Sequence, residues 1–138
     1  MSGWTALAEG IRSGAVSSEA VSDWLCAQPA LWFVVEGELD AEGRIVNARP
    51  LVVHHPSGAT VSLVFTDEAR ACRYRDGRDD LGAPLTVVSA APAEGFEALL
   101  ALPIDGITIN PGDPDRLNAG RRQLAALAEQ ARRGGISP

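Results

Sequence analysis

The beginning of the chain carries apolar residues at helical spacing. Val21, Trp24 and Leu25 lie three or four positions apart, on one helix face, behind serines that are typical of a helix start. A shorter run of the same kind precedes them. The pattern predicts a helical hairpin over residues 1–28, with helices at Trp4–Ile11 and Ser18–Ala27. We expect the tryptophans of this hairpin to cover a sheet face.

Short runs of strand type follow. LWFVVEG, from Leu31 to Gly37, is a largely apolar run of the kind found in buried central strands. Further strands are predicted at Arg44–Val46, Leu51–His55 and Thr60–Phe65, and a Pro-Ser-Gly turn joins the last two.

Beyond these strands the pattern alternates between helix and strand. Thr66, Asp67 and Glu68 form a helix start, because a hydroxyl accepts hydrogen bonds from free amides and carboxylates face the positive end of the helix dipole. This helix is expected to end near Gly77. The later elements are predicted as a strand at Leu85–Ser89, a helix at Pro92–Leu102, a strand at Gly106–Ile109, and a terminal helix that begins at Pro114, is capped by Asp113 and ends at Gly134-Gly135.

This order of elements predicts the fold class. An antiparallel opening followed by alternating strands and helices is typical of an α/β (α+β) protein with a mixed sheet, whose second half is parallel and flanked by helices. We expect a single domain with about five or six strands. The main part of the domain covers residues 29–134, the helical hairpin belongs to it, and residues 135–138 are expected to form a frayed tail.

Composition narrows the function classes. The 138 residues carry a formal net charge of -6, and all 12 basic residues are arginines. Nucleic-acid binding is not expected, because it needs a concentrated basic face that neutralises phosphates, and the C-terminal arginines fit the solvated side of a helix. The chain shows neither a leader-like N-terminus nor an apolar run long enough for a bilayer. We therefore expect a cytoplasmic protein without membrane contact.

Standard catalytic and metal-binding patterns are missing from the sequence. His54 and His55 are adjacent on a predicted strand, so their side chains point to opposite faces and do not favour one metal ion. Cys26 and Cys72 are too far apart for a CxxC motif and fit buried free thiols. Neither a GxSxG elbow nor a glycine-rich phosphate loop occurs. The sequence thus predicts no cofactor, no metal and no catalytic residue.

Two turns after apolar strands are the candidate ligand site. In sheets with parallel strands, ligands collect beyond the carboxyl ends of the strands, where helix N-termini offer free amides. The candidate ligand-binding residues are Thr66, Asp67, Asn110, Gly112 and Asp113. A structural role accounts for the same residues, since Asn110 and Gly112 suit a tight turn and aspartate suits a helix cap. A pocket between the turns would favour ligand binding, whereas turns filled by their own caps would favour the structural role.

Acidic residues crowd the stretch from Glu36 to Glu42. A solvated loop is the simplest interpretation, since the spacing of an EF-hand calcium site is absent. The alternative is a contact surface for a basic protein, as in an acidic immunity-type protein.

Three segments resemble the N-terminal domain of the bacterial SseB (enhanced serine sensitivity) family. They are VFTDEARA at Val64–Ala71, the following strand LTVVSA, and DGITINPG at Asp105–Gly112. The resemblance covers the chain from Ala30 to the terminal helix. It implies a compact bacterial α/β domain with no established catalytic activity.

These observations together predict a non-enzymatic cytosolic protein that binds an unknown protein partner or itself, in a regulatory or accessory role. The arginine-bearing terminal helix and the strand Arg44–Val46, expected at a sheet edge, are the predicted contact surfaces. The alternatives are a small-molecule sensor or weak enzyme with a pocket at the turns Thr66–Glu68 and Asn110–Asp113, and the acidic immunity-type protein.

Overall fold

The computed structural model describes residues 3–78 and 84–134. Its helices are α1 (Gly3–Ser13), α2 (Ser18–Ala27), α3 (Glu68–Asp76), α4 (Pro92–Leu100) and α5 (Arg121–Arg132). Its strands are β1 (Leu31–Leu39), β2 (Ile45–Pro50), β3 (Val52–His54), β4 (Thr60–Val64), β5 (Leu85–Ala90), β6 (Gly106–Ile109) and β7 (Leu117–Gly120). The α/β (α+β) class and the N-terminal helical hairpin are confirmed. The predicted tail and Gly135 lie outside the described residues.

The strands form two sheets where the sequence predicted one. One sheet has the order β2-β1-β5 and the other has the order β3-β4-β6-β7. A bridge between Trp32 and Phe65 links them, with backbone hydrogen bonds of 2.9 and 2.8 Å. The parallel part of the sheets is also smaller than predicted. Among the described strands, β4 and β6 form the one parallel pair, and β5 runs antiparallel to β1.

Two apolar clusters form the core. The larger cluster packs α1, α2, α4 and α5 against one face of the sheets, with Trp4, Phe96 and Leu124 fully buried. The smaller cluster lies under α3 on the opposite face and contains Val34, Leu63 and Phe65. Burial of these large side chains is the main stabilising contribution.

The C-terminal prediction is wrong between Pro114 and Gly120. No helix begins at Pro114; the chain instead forms β7, which pairs with β6 and covers its edge. Helix α5 begins at Arg121, and the Gly120 N–H donates to Gln123 Oε1 at 2.7 Å at its start. Leu117 fits a helical apolar stripe equally well, so pairing with β6 decides its conformation. Helix α4 also ends at Leu100, two residues before the predicted Leu102.

Candidate functional site

The two strand-end turns lie side by side. Because β4 and β6 are adjacent and parallel, their carboxyl ends meet at the same edge of the sheet. The Thr66 N–H donates to Asn110 Oδ1 at 3.1 Å, and Asn110 Nδ2 donates to Thr66 Oγ1 at 2.9 Å. Asn110 is fully buried and has a φ of 55°. Its amide therefore joins the two turns, and its polar atoms are occupied.

Asp67 begins α3 as its N-cap. Its side chain accepts a hydrogen bond from the Arg70 N–H at 2.9 Å, so the predicted helix start is confirmed. The predicted role of the Thr66 hydroxyl at this start is wrong. Its oxygen accepts from Asn110 and from Arg70 Nη1 at 3.3 Å, since it faces the neighbouring turn.

Arg70 is the centre of an ionic cluster at this edge of the sheet. Its side chain is 15% exposed and lies 2.9 Å from Asp115 Oδ2, 3.2 Å from Asp67 Oδ2 and 3.7 Å from Asp113 Oδ2. Three carboxylates thus surround one guanidinium in a partly desolvated place. We call these four residues the Arg70 cluster.

Asp113 does not cap a helix, since none begins behind it. Its carboxylate instead pairs with Arg70 and with Arg73 at 3.7 Å. Gly112, one residue before it, has a φ of +83°, which confirms that this turn needs a left-handed backbone conformation. The structure therefore gives both residues a structural task.

Asp115 was missed by sequence reasoning and ties α1 to the turn. Trp4 Nε1 donates to the Asp115 backbone oxygen at 3.0 Å, and Thr5 Oγ1 donates to Asp115 Oδ2 at 2.8 Å. Trp4 thus connects the hairpin to this turn. Its ring also contacts Trp24 in a tilted arrangement, with ring centroids 5.6 Å apart. No local sequence pattern predicts these contacts, because the residues that form them are 110 and 111 positions apart in the chain.

A cavity of about 370 Å³, lined largely by charged residues, adjoins the Arg70 cluster. It is lined by Thr5, Glu9, Arg12, Arg70, Asp113 and Asp115. Most of these groups already have partners; for example, Arg12 Nη2 donates to the Arg116 backbone oxygen at 2.9 Å. Asp115 Oδ1 is buried without a hydrogen-bond partner among the described residues.

A second concavity, which we call the α2–α5 groove, has a different chemistry. It measures about 480 Å³ and lies between α2, α5 and the edge strand β7. Its floor is apolar, and its rim carries carboxylates and neutral polar groups. The floor includes Ile11, Val21, Leu25, Leu117 and Leu127, and the rim includes Glu19 and Asp23.

The candidate metal and thiol residues are placed as follows. His54 and His55 are both exposed, and His55 Nδ1 contacts Ser57 Oγ at 2.9 Å in the hairpin turn. The part of the chain that is described holds no cluster of side chains suited to a metal ion. Burial, together with the nearby Asp23 carboxylate, raises the pKa of Cys26 to about 11. Cys26 is therefore a protonated thiol at neutral pH, and Cys72 is half-buried.

The predicted contact surfaces are partly occupied by internal contacts. Arg121 on α5 is exposed as expected, but its guanidinium also donates to the backbone oxygens of Leu100, Leu102 and Ile104, at the end of α4. Strand β2 is the edge of its sheet, as predicted for Arg44–Val46. Arg49 lies 2.8 Å from Glu36 there.

The acidic stretch is internally organised as well. Asp40 accepts hydrogen bonds from the backbone N–H groups of Glu42 and Arg44 and pairs with the Arg44 guanidinium at 3.2 Å. These contacts partly neutralise the stretch. A hairpin turn therefore explains much of its sequence.

The chain matches no protein-family model, and no curated protein matches it at a significant level. The resemblance to the SseB N-terminal domain thus stays a prediction from three short motifs. Among the described residues, no helix has the length and apolar character needed to cross a membrane.

Proposed function

We propose that this protein is a non-enzymatic binding module of the cytoplasm, of the SseB N-terminal type, that recognises a segment of another protein. The α2–α5 groove carries this proposal, because it combines an apolar floor with a polar rim. An apolar segment of a partner gains free energy by covering such a floor, while polar groups at the rim set its orientation.

The chemistry of the rim specifies the partner further. Glu19 and Asp23 are the charged groups lining the α2–α5 groove, and both are acidic. A segment with alternating apolar and basic residues would bury its apolar side chains on the floor and meet these carboxylates at the rim. The net charge of -6 also favours a basic partner through long-range attraction.

Two alanines on α5 offer a matched test. Ala126 lines the α2–α5 groove, whereas Ala125 is exposed on the same helix and does not line it. Ala126→Arg places a long basic side chain in the groove, and Ala125→Arg changes the net charge equally without doing so. Peptides selected from a random displayed library should be rich in apolar and basic residues. They should bind Ala125→Arg normally and Ala126→Arg at least tenfold more weakly.

The same pair of variants then serves for a pull-down from the host. A specific partner retained by Ala125→Arg and lost by Ala126→Arg would agree with the proposal. Peptides without an apolar and basic signature, or with equal affinity for both variants, would contradict it.

A small-molecule sensor is the second candidate, favoured by the cavity beside the Arg70 cluster and the charged residues that line it. Asp115, which lines this cavity, has a buried carboxylate oxygen without a hydrogen-bond partner among the described residues, so we infer a ligand with a hydrogen-bond donor such as an amine. The test is a thermal-shift screen of amines and other metabolites, repeated with Glu9→Ala. Glu9 lines the cavity but is outside the Arg70 cluster. A shift that Glu9→Ala abolishes would promote this candidate, and the absence of any shift would remove it.

An acidic immunity-type protein is the third candidate from the sequence. Its proposed contact surface, Glu36–Glu42, is partly neutralised by Arg44 and Arg49. We therefore rank it below the other two.

A further inference from the structure

Strand β5 is an edge strand whose outward backbone groups can be assigned. The Gly37 N–H donates to the Pro84 backbone oxygen at 3.3 Å, so residues 37 and 84 form a hydrogen-bonded pair of the antiparallel ladder. Such pairs alternate along the ladder. Thr86, Val88 and Ala90 therefore direct their backbone groups to β1. The backbone N–H and C=O groups that point outward are those of Leu85, Val87 and Ser89.

These outward groups have no hydrogen-bond partner within residues 3–78 and 84–134. The strand reads LTVVSA, without a charge, a proline or a glycine. Val88 is 38% exposed, which makes it one of the two exposed large apolar side chains of the described chain. An uncharged edge of this length is suited to pairing with another strand.

The other sheet edges are protected by features that β5 lacks. Strand β2 carries Arg49, ends in Pro50 and contains Asn47 with a φ of 55°. Strand β3 has three residues and β7 has four. Charges, prolines, irregular backbone and short length are the usual means of preventing edge pairing. Among the described edges, β5 is thus the one open to a partner.

We propose that two copies of this chain associate through antiparallel pairing of their β5 strands about a two-fold axis at Val87. In this register Val87 faces its own copy, and Leu85 faces Ser89 of the second copy. All three positions are outward-facing, so the pairing satisfies three N–H and three C=O groups in each copy. The inference concerns a surface separate from the α2–α5 groove and does not depend on the partner proposed there.

The side chains also match in this register. Thr86 of one copy lies opposite Val88 of the other, on the face where Val88 is exposed. Pairs of β-branched residues at such positions stabilise antiparallel sheets, and no charge is brought opposite a like charge. The two three-stranded sheets would become one continuous six-stranded sheet, since each contributes β2, β1 and β5.

The position of α3 is compatible with this arrangement. Helix α3 packs over both β1 and β5. An axis midway between these two strands would lie about half a strand spacing inside β5. With strands about 4.8 Å apart, the α3 axes of two copies would be about 10 Å apart, the upper end of the usual distance between packed helices. The two helices would therefore lie side by side on one face without overlap.

Ser89 allows a matched test of the interface. Ser89→Pro removes an outward N–H and leaves the bonds between β1 and β5 intact, because proline is tolerated where the N–H faces away from the ladder. Ser89→Ala keeps this N–H. By light scattering and sedimentation equilibrium over a concentration series, the wild type and Ser89→Ala should be dimers, and Ser89→Pro should dissociate at least tenfold more readily.

A monomeric wild type at about 100 μM would overturn the proposal, since functional self-association is typically tighter than millimolar. So would a dimer that Ser89→Pro leaves unchanged, because the interface would then lie elsewhere. If Ser89→Pro fails to fold, amide hydrogen exchange of the wild type decides. The Leu85, Val87 and Ser89 amides should become more protected as protein concentration rises, and unprotected exchange at every concentration would refute the pairing. Ala126→Arg should remain dimeric, which separates this result from that of the groove.

Discussion

Replacing Arg70 by methionine tests whether the Arg70 cluster is a structural element. The Arg70 side chain is 15% exposed, and that of Asp115, its shortest ion-pair partner at 2.9 Å, is 9% exposed. Methionine keeps much of the volume and removes the charge. Asp67 and Asp115 would then lose their ion-pair partner, and Asp113 would keep only Arg73 at 3.7 Å. Asp115 would become a buried charge without a compensating cation.

Removing one member of a buried ion pair costs about 3–5 kcal/mol. We expect a loss near the lower bound, about 3 kcal/mol, because Asp67 and Asp113 are partly solvated. A domain of this size has a total stability of about 5–15 kcal/mol. The loss should lower Tm by about 10 °C.

The assay is denaturant unfolding followed by circular dichroism, with Arg122→Met as the control. Arg122 is exposed on α5 and has no ion pair among the described residues, so its replacement should change stability little. In the double variant Arg70→Met, Asp115→Asn, part of the loss should be recovered, because the stranded charge is removed. A loss below about 1 kcal/mol for Arg70→Met, as for a surface ion pair, would refute the reasoning.

Three further predictions follow from individual side chains. Asn110→Ala should destabilise the fold by about 2 kcal/mol or more, because it breaks both hydrogen bonds to Thr66 and leaves alanine in a left-handed conformation; unfolding midpoints no lower than that of the wild type would contradict this. Gly95→Ala should cost about 1–3 kcal/mol, since the added Cβ overlaps the Phe33 ring, and Phe33→Leu in the same chain should recover part of the loss in calorimetry. The folded-state pKa of Cys26 is raised from 9.0 to about 11, so the stability contributed by the protonated thiol is full below pH 9 and is lost as the pH rises towards 11. Iodoacetamide labelling of the native protein at pH 8 should therefore modify Cys72 before Cys26. Equal labelling rates would count against the burial argument.

The parts of the fold that were predictable are those decided by neighbours in the sequence. Asp67 caps α3 because its side chain reaches an N–H three residues later. The left-handed turn at Gly112 similarly follows from local backbone preferences. The adjacency of the two turns required only that β4 and β6 be parallel neighbours.

The missed features depend on contacts between distant residues. Leu117 lies in phase with the apolar stripe of α5, so its sequence context favours a helix, yet pairing with Ile109 places it in a strand. Arg121 appears in the sequence as one arginine among several, and its task becomes visible only when the end of α4 lies beside it. The α2–α5 groove arises from the packing of two helices against a strand, which no single segment specifies.

The internal use of arginine determines the charge that the protein offers to a partner. The chain has 12 arginines and no lysine. Among the described residues, the guanidinium groups of all the arginines except Arg116 and Arg122 have a partner. The remaining arginines pair with carboxylates, cap backbone oxygens or contact Tyr74, so little positive charge is left for binding. The unpaired charge is therefore mainly acidic, and Glu19 places part of it at the rim of the apolar groove. A partner of the groove must supply the positive charge itself. The β5 edge carries no charge, so pairing of two acidic copies places no like charges opposite each other in the strand pair.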